Sequence, residues 1–264
     1  MSIRQSRCRG TPSPSPAKGF LMTHSKKTRR AAPAIATSML AAALVAGAAP
    51  ATAAPLDAGD RCSSVYLIVA RGSNEDPGPG AMARLVTRIK EATDRPIEDI
   101  AVDYPATAES IPDYADSAAQ GTAEVRRLLT DTVAKCPDRE IVMLGYSQGA
   151  HVTGDAIAGG GGGRLGPETP PVSAEVSDNV RAVIHMGDPR FVAGEPFDVG
   201  TARRNGRFPR GEDQRLTPFG AKIRSYCDAG DVFCDSGKIW PVHYSYLPKY
   251  SDEATRFVVD AIGG

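Results

Sequence analysis

The 264-residue chain balances 31 Lys or Arg against 31 Asp or Glu, but unevenly: residues 1–53 hold eight of the basic residues and no acidic one. Without them 23 basic residues face 31 acidic ones, a net charge of −8 that argues against nucleic acid or an anionic membrane as principal partner. The 211 residues that remain suffice for one α/β domain with a substantial core.

Lys26-Lys27-Thr28-Arg29-Arg30, an Ala-rich segment to Ala49 and the small-residue run Ala51-Thr52-Ala53 read as a secretory leader cleaved near Ala53 or Ala54. The residues before Met22 are unusually long for such a leader, so Met22 is an alternative start. Pro33 and Pro50 interrupt a short, alanine-dominated segment, which argues against a stable membrane anchor. Arg29-Arg30 raises twin-arginine export, yet Ala31-Ala32-Pro33 stands where strongly apolar residues belong, which favours ordinary secretion. The expected division is a leader over 1–53 and a single domain over 54–264, with the product outside the cell or at the cell wall, and monomeric. Cys8 leaves with the leader, and an even count of four cysteines in an exported chain implies disulfides. Cys227 and Cys234 enclose six residues including Gly230, so a local bridge is natural and leaves Cys62 for Cys136. Closely spaced Cys or His ligands are missing, so no metal is expected.

In chain order, Val65-Tyr66-Leu67-Ile68-Val69-Ala70 predicts a buried strand ending at Arg71-Gly72-Ser73. Met82, Leu85, Val86 and Ile89 recur at helical spacing on an inner face. Residues 97–104 read as the next strand, followed by a loop over 105–113 that contains Ile111. From about Tyr114 to Cys136 a helix places Ala118, Val125, Leu128, Leu129 and Val133 inward, and Pro137 stops it. Ile141-Val142-Met143-Leu144 is a further buried strand, entering Gly145-Tyr146-Ser147-Gln148-Gly149 and a small-residue helix. The five glycines 159–163 end that helix and, with the Pro-rich 167–171, read as a surface loop. A strand over 180–186, an irregular excursion over 191–220, a strand over 223–226 and a closing helix over 252–262 complete the chain. Strands alternating with helices point to a parallel sheet of about five strands covered on both faces.

Glycines flanking Ser147 at two-residue spacing suit a sharp strand-to-helix turn that projects the hydroxyl at the carboxyl edge of the sheet. A serine nucleophile needs a base and a carboxylate to orient it. His151 lies one turn along the helix and His185 within a strand, both in structural settings, whereas His243 lies in the loop 240–244 at the expected sheet edge. Asp231, inside the Cys227–Cys234 loop, is the favoured carboxylate, with Asp228, Asp235 and Asp188 as rivals.

Gly145-Tyr146-Ser147-Gln148-Gly149-Ala150, the Cys227-(x6)-Cys234 loop enclosing Asp231, and His243 nine residues beyond it resemble the cutinase family over essentially the whole of 54–264. Ala70-Arg71-Gly72-Ser73 resembles the family's oxyanion loop, with Asn74 where many members carry threonine, and the Cys62/Cys136 pair matches its long-range disulfide. The resemblance implies a compact α/β-hydrolase without a lid domain, a serine partly open to solvent, Ser147 as nucleophile, His243 as base and acid, and Asp231 as orienter. It also implies Ser73 and Gln148 as the oxyanion hole, and Gln148 has independent support because the N–H after an elbow nucleophile faces the developing oxyanion. No cofactor is implied. Ile111, Ile239 and Trp240 are candidates to rim an apolar acyl groove. The expected activity is hydrolysis of cutin-like polyester or short to medium acyl esters through an acyl-enzyme. Acylglycerol, phospholipid or acetylated polysaccharide are alternative ester substrates, and a non-catalytic wall- or lipid-binding protein is the alternative of a different class.

Overall fold

Two short apolar runs, residues 65–70 and 141–146, form the fully buried centre of a parallel sheet. A computed structural model of the protein describes residues 62–264. The expected leader, the Met22 start and Cys8 lie outside the described residues. The strands are β1 (Val65–Ala70), β2 (Ile97–Ala101), β3 (Ile141–Tyr146), β4 (Val180–Met186), β5 (Asp198–Val199) and β6 (Ile223–Tyr226). All pair in parallel, in the order β2-β1-β3-β4-β6-β5. The expected five strands are thus joined by the two-residue β5, which carries too little sequence signal to be seen and exists through pairing of Asp198 with Ser225 and Val199 with Tyr226.

The helices are α1 (Ala83–Glu91), α2 (Ile111–Lys135), α3 (Gln148–Ala158), α4 (Ala174–Asp178), α5 (Trp240–His243) and α6 (Tyr246–Ala261). Alternate strand residues face two separate cores. Val65, Leu67 and Val69 pack with α1 and α6, while Tyr66, Ile68 and Ala70 pack with α2, α3 and α4. Two helices begin earlier than the apolar pattern suggested. Ser110 caps α2 by accepting from the Asp113 N–H at 3.2 Å, so Ile111 opens a helix instead of lying in a loop. In α6 the early Pro248 is harmless, because the N–H groups of a first turn have no intrahelical acceptor. β2 ends at Ala101 instead of reaching residue 104: the Val102 N–H makes a last bond to the Val69 carbonyl at 2.9 Å, and the chain then leaves the sheet. Cys62–Cys136 and Cys227–Cys234 are both bridged, with Cα separations of 5.2 and 5.9 Å.

Register brings Ala70, Gly145, His185 and Ser225 level across the sheet. The chain runs from β1 outward to β2 and then returns to place β3 on the other side of β1, so the sheet order reverses there. Crevices at such reversals, beyond the carboxyl ends of parallel strands, are where open α/β sheets bind ligands.

Beneath α3 the interior is polar. His185 is fully buried and meets Thr153 Oγ1 at 3.0 Å, while His151 lies between Tyr114 Oη (2.8 Å) and Asp155 Oδ2 (3.1 Å). Asp155 also accepts from Arg190 (2.7 Å) and Arg210 (2.5 Å), and Asp188 accepts from the Arg190 backbone N–H at 2.8 Å. Arg210 therefore belongs to the core, not to a surface excursion. The two carboxylates of Asp155 and Asp188 face the two guanidiniums of Arg190 and Arg210, so the buried charges pair off. Burial pushes His185 down from 6.5 to about 4, outweighing the opposing pull of Asp188. Between those values the unfolded chain binds a proton that the folded one refuses, so stability falls as pH drops through this window, by roughly 3 kcal/mol in all. His185→Gln should flatten the slope of unfolding free energy, measured in urea, between pH 6.5 and 4.5; an unchanged slope would assign the acid sensitivity to other groups.

Candidate active site

Ser147 sits between β3 and α3 at φ 53°, ψ −118°, a backbone conformation that side chains normally avoid. Its neighbours explain why only glycine flanks it. A Cβ on Gly145 would lie 2.6 Å from the Gly149 carbonyl oxygen, and one on Gly149 would lie 2.1 Å from that of Ala70. The turn is pinned by the Ser147 N–H donating to Met186 at 2.8 Å, and α3 begins with the His151 and Ala150 N–H groups bonded to the Ser147 carbonyl.

His243 Nε2 lies 2.9 Å from Ser147 Oγ, and His243 Nδ1 lies 2.8 Å from Asp231 Oδ2. The three side chains thus form one hydrogen-bonded line joining the ends of β3 and of the segment after β6. His243 is carried by the single turn α5, where a plain loop was expected. Its ring stacks on Tyr146 at 5.2 Å and meets the edge of Phe233 at 4.7 Å, while the Tyr146 hydroxyl donates to the His243 carbonyl at 3.0 Å. Gly187 leaves room for it, since a Cβ there would fall 2.8 Å from His243 Cε1.

Asp231 is fully buried, yet both its oxygens are satisfied. Oδ1 accepts from the Phe233 and Cys234 N–H groups at 2.6 and 2.9 Å, and Oδ2 accepts from the Tyr246 hydroxyl at 2.7 Å as well as facing His243. Burial alone would raise this carboxyl, but the bonds from His243, Tyr246 and the Phe233 N–H outweigh it and hold it below the ordinary value. The rivals are engaged elsewhere. Asp228 holds Lys249 (2.7 Å) and Tyr250 (2.9 Å), Asp235 holds the Gly230 N–H (2.8 Å) and Arg204 (2.7 Å), and Asp188 lies in the network under α3.

The loop after β1 is braced from both sides. The Arg71 guanidinium reaches the carbonyls of Glu75, Val102 and Tyr104, and the Glu75 carboxylate accepts from the Gly72 and Ala81 N–H groups at 2.6 and 2.8 Å. Asn74 adopts φ 61°, a region that asparagine enters more readily than a β-branched residue, and its N–H donates to the Ala106 carbonyl at 2.7 Å. Gln148 is fully buried and its side chain donates to the Thr107 (3.0 Å) and Tyr114 (3.2 Å) carbonyls, tying α3 to the start of α2.

Ser73, Ser147 and His243 line a groove of about 680 Å³, with Ile111, Trp240 and Phe208 among its apolar walls. Ser147 keeps 7% of its exposure on the groove floor. Ile239 does not line it; its side chain lies over Gly230, where an added Cβ would come within 2.7 Å of Ile239 Cδ1. Among the described residues no cluster of three or more His, Cys, Asp or Glu could hold a metal ion, and no helix is long and apolar enough to cross a membrane. Tyr246, Tyr146 and Phe233 were not recognised in the sequence. The available signal for Tyr246 was its place one helical turn after His243, since a buried tyrosine hydroxyl needs a partner.

Residues 61–262 match the Cutinase family model. Acetylxylan esterase 2 of Talaromyces purpureogenus is 33% identical over 208 residues, covering 76% of this chain and 88% of that protein. Cutinase 11 of Verticillium dahliae is 34% identical over 203 residues, covering 75% and 68%. The catalytic core domain of acetyl xylan esterase from Trichoderma reesei superposes with a TM-score of 0.70 at 32% identity, covering 76% of this chain and 99% of that one. A family match over so much of the chain, joined to these identities and this shared fold, shows that the protein belongs to the cutinase family and is a carboxylic ester hydrolase.

Proposed function

We propose that the protein is an exported serine esterase in which Ser147 attacks the ester, His243 moves the proton and Asp231 orients His243. The observation that carries this reading is the hydrogen-bonded line Asp231–His243–Ser147 opening onto the groove. Ser147 Oγ attacks the carbonyl carbon as His243 Nε2 takes the hydroxyl proton, giving a tetrahedral oxyanion. The Gln148 N–H, free at the start of α3, and Ser73, by its N–H and hydroxyl, stabilise that oxyanion. Collapse breaks the ester C–O bond, the alcohol leaves with the proton from His243, and an acyl-enzyme remains. Water then loses a proton to His243, attacks the acyl carbon and releases the acid, restoring Ser147. The scheme uses no metal or organic cofactor.

Ile111 and Trp240 form an apolar rim that suits a short or medium acyl chain, as in a simple ester or a cutin-like polyester. Acetylated polysaccharide is a second reading, favoured by the likeness to two acetylxylan esterases. The leader-like N-terminus and the two disulfides suit export to an oxidising compartment.

Asp231→Asn should lower kcat by about 10³–10⁴-fold while leaving the urea-unfolding midpoint near wild type, because the tautomer and orientation of His243 are lost but the packing is kept. Asp228→Asn should stay within a few-fold of wild type; the reverse pattern would overturn the assignment of Asp231. Nitrophenyl esters from acetate to octanoate resolve the acyl site. A maximum at butanoate or hexanoate supports the groove, whereas turnover confined to acetate assigns the enzyme to acetyl esters.

A further inference from the structure

Behind Phe208 lies a second depression, of about 340 Å³, within the size range of about 300–1,000 Å³ typical of small-molecule sites. Phe208 lines both it and the catalytic groove, so the ring is a shared wall. That wall is rigid. Phe208 stacks on Tyr114 at 5.5 Å, and its strand-like segment is bonded to the chain leaving β4 through Gly206 N–H to Phe191, Phe208 N–H to Pro189 and Arg210 N–H to Arg190.

The glycine tract is another part of the lining, and it too is held by hydrogen bonds. Gly160 and Thr169 exchange two backbone bonds, the Gly161 N–H donates to Asp155 Oδ2 at 3.1 Å, and the Gly162 N–H donates to Gly166 at 2.9 Å. Gly161, Gly162 and Gly163 all have positive φ, and a Cβ on Gly161 would lie 2.0 Å from the Pro167 carbonyl oxygen. Those bonds occupy the Gly160, Gly161 and Gly162 N–H groups, so the tract gives the depression a fixed, side-chain-free shape and not a set of open donors. Arg164, Glu168 and Asp213 add exposed charged groups, and Gln214 forms part of the lining.

Leu165, Phe208 and Pro209 give the lining an apolar part beside the charges of Arg164, Glu168 and Asp213, and a wholly aliphatic chain would strip water from those charges without replacing their hydrogen bonds. A hydroxyl-rich ring would replace them and could lay its C–H face on Phe208. We propose that the depression is a subsite for the polyhydroxylated alcohol portion of the ester, so that the scissile bond lies over Ser147 while the chain carrying it runs past Phe208 to the glycine tract. This rests on the reading of Ser147 as an ester nucleophile, and it gives the glycine tract a role in choosing the alcohol.

The test uses two esters with the same acyl group: 4-nitrophenyl acetate, whose alcohol portion carries no further hydroxyls, and an acetylated xylo-oligosaccharide. Replacing Glu168 and Asp213 together by Ala should lower kcat/KM for the oligosaccharide ester by about tenfold and leave nitrophenyl acetate within about twofold. Asp213→Trp, which fills the depression, should have the same selective effect. Equal losses on both esters, or no loss on either, would overturn the subsite. A wild-type chain that cleaves neither ester would instead overturn the esterase reading on which it rests.

Discussion

The turn at Ser147 exists because three backbones approach too closely for side chains. β3 must leave the sheet beside Ala70, bend at a conformation costly for serine, and start a helix whose first turn lies against the exit of β1. Gly145 and Gly149 are the vacancies that make this possible. The bond from the Ser147 N–H to Met186 ties the bend to β4, so the neighbouring strand supports it. Everything reactive is then placed relative to this bend: the β1 loop with Ser73 on one side, and the segments after β4 and β6 on the other.

The second constraint is a buried carboxylate with no spare lone pair. Asp231 receives two backbone N–H groups, the Tyr246 hydroxyl and His243. The Cys227–Cys234 bridge closes the loop that supplies the backbone donors, and α6 supplies Tyr246. Such a set keeps Asp231 ionised despite burial and fixes which nitrogen of His243 carries a proton toward it. His243 is held independently by Tyr146, Phe233 and the space over Gly187, so its Nε2 is left for Ser147.

Much of this was legible as sequence. The runs at 65–70, 180–186 and 223–226 match their strands; burial on both faces leaves 65–70 an unbroken apolar signal, whereas Arg181, Arg224 and Ser225 interrupt the other two. Ser147 and His243 could be singled out because each follows a strand and so emerges at one sheet edge, and Asp231 because it lies inside the Cys227–Cys234 loop between them in the chain; the structure brings the three side chains together. What escaped depended on partners distant in the chain. β5 is defined by pairing, α2 begins at a serine cap inside an apparent loop, and Tyr246 is explained by Asp231. Arg210 falls in the excursion over 191–220 that reads as irregular, yet Asp155, fifty-five residues away, draws it into the core. The glycine tract looked like slack, although backbone and carboxylate bonds give it one shape.

The central claim is that Ser147 carries the acyl group during turnover. Acid-quenching the wild-type enzyme while it hydrolyses 4-nitrophenyl acetate, followed by peptide mass mapping, reads this directly. Acetyl should appear on the peptide containing Ser147 and vanish in Ser147→Ala; acetyl on another residue, or rapid turnover with no acylated peptide, would contradict a serine acyl-enzyme.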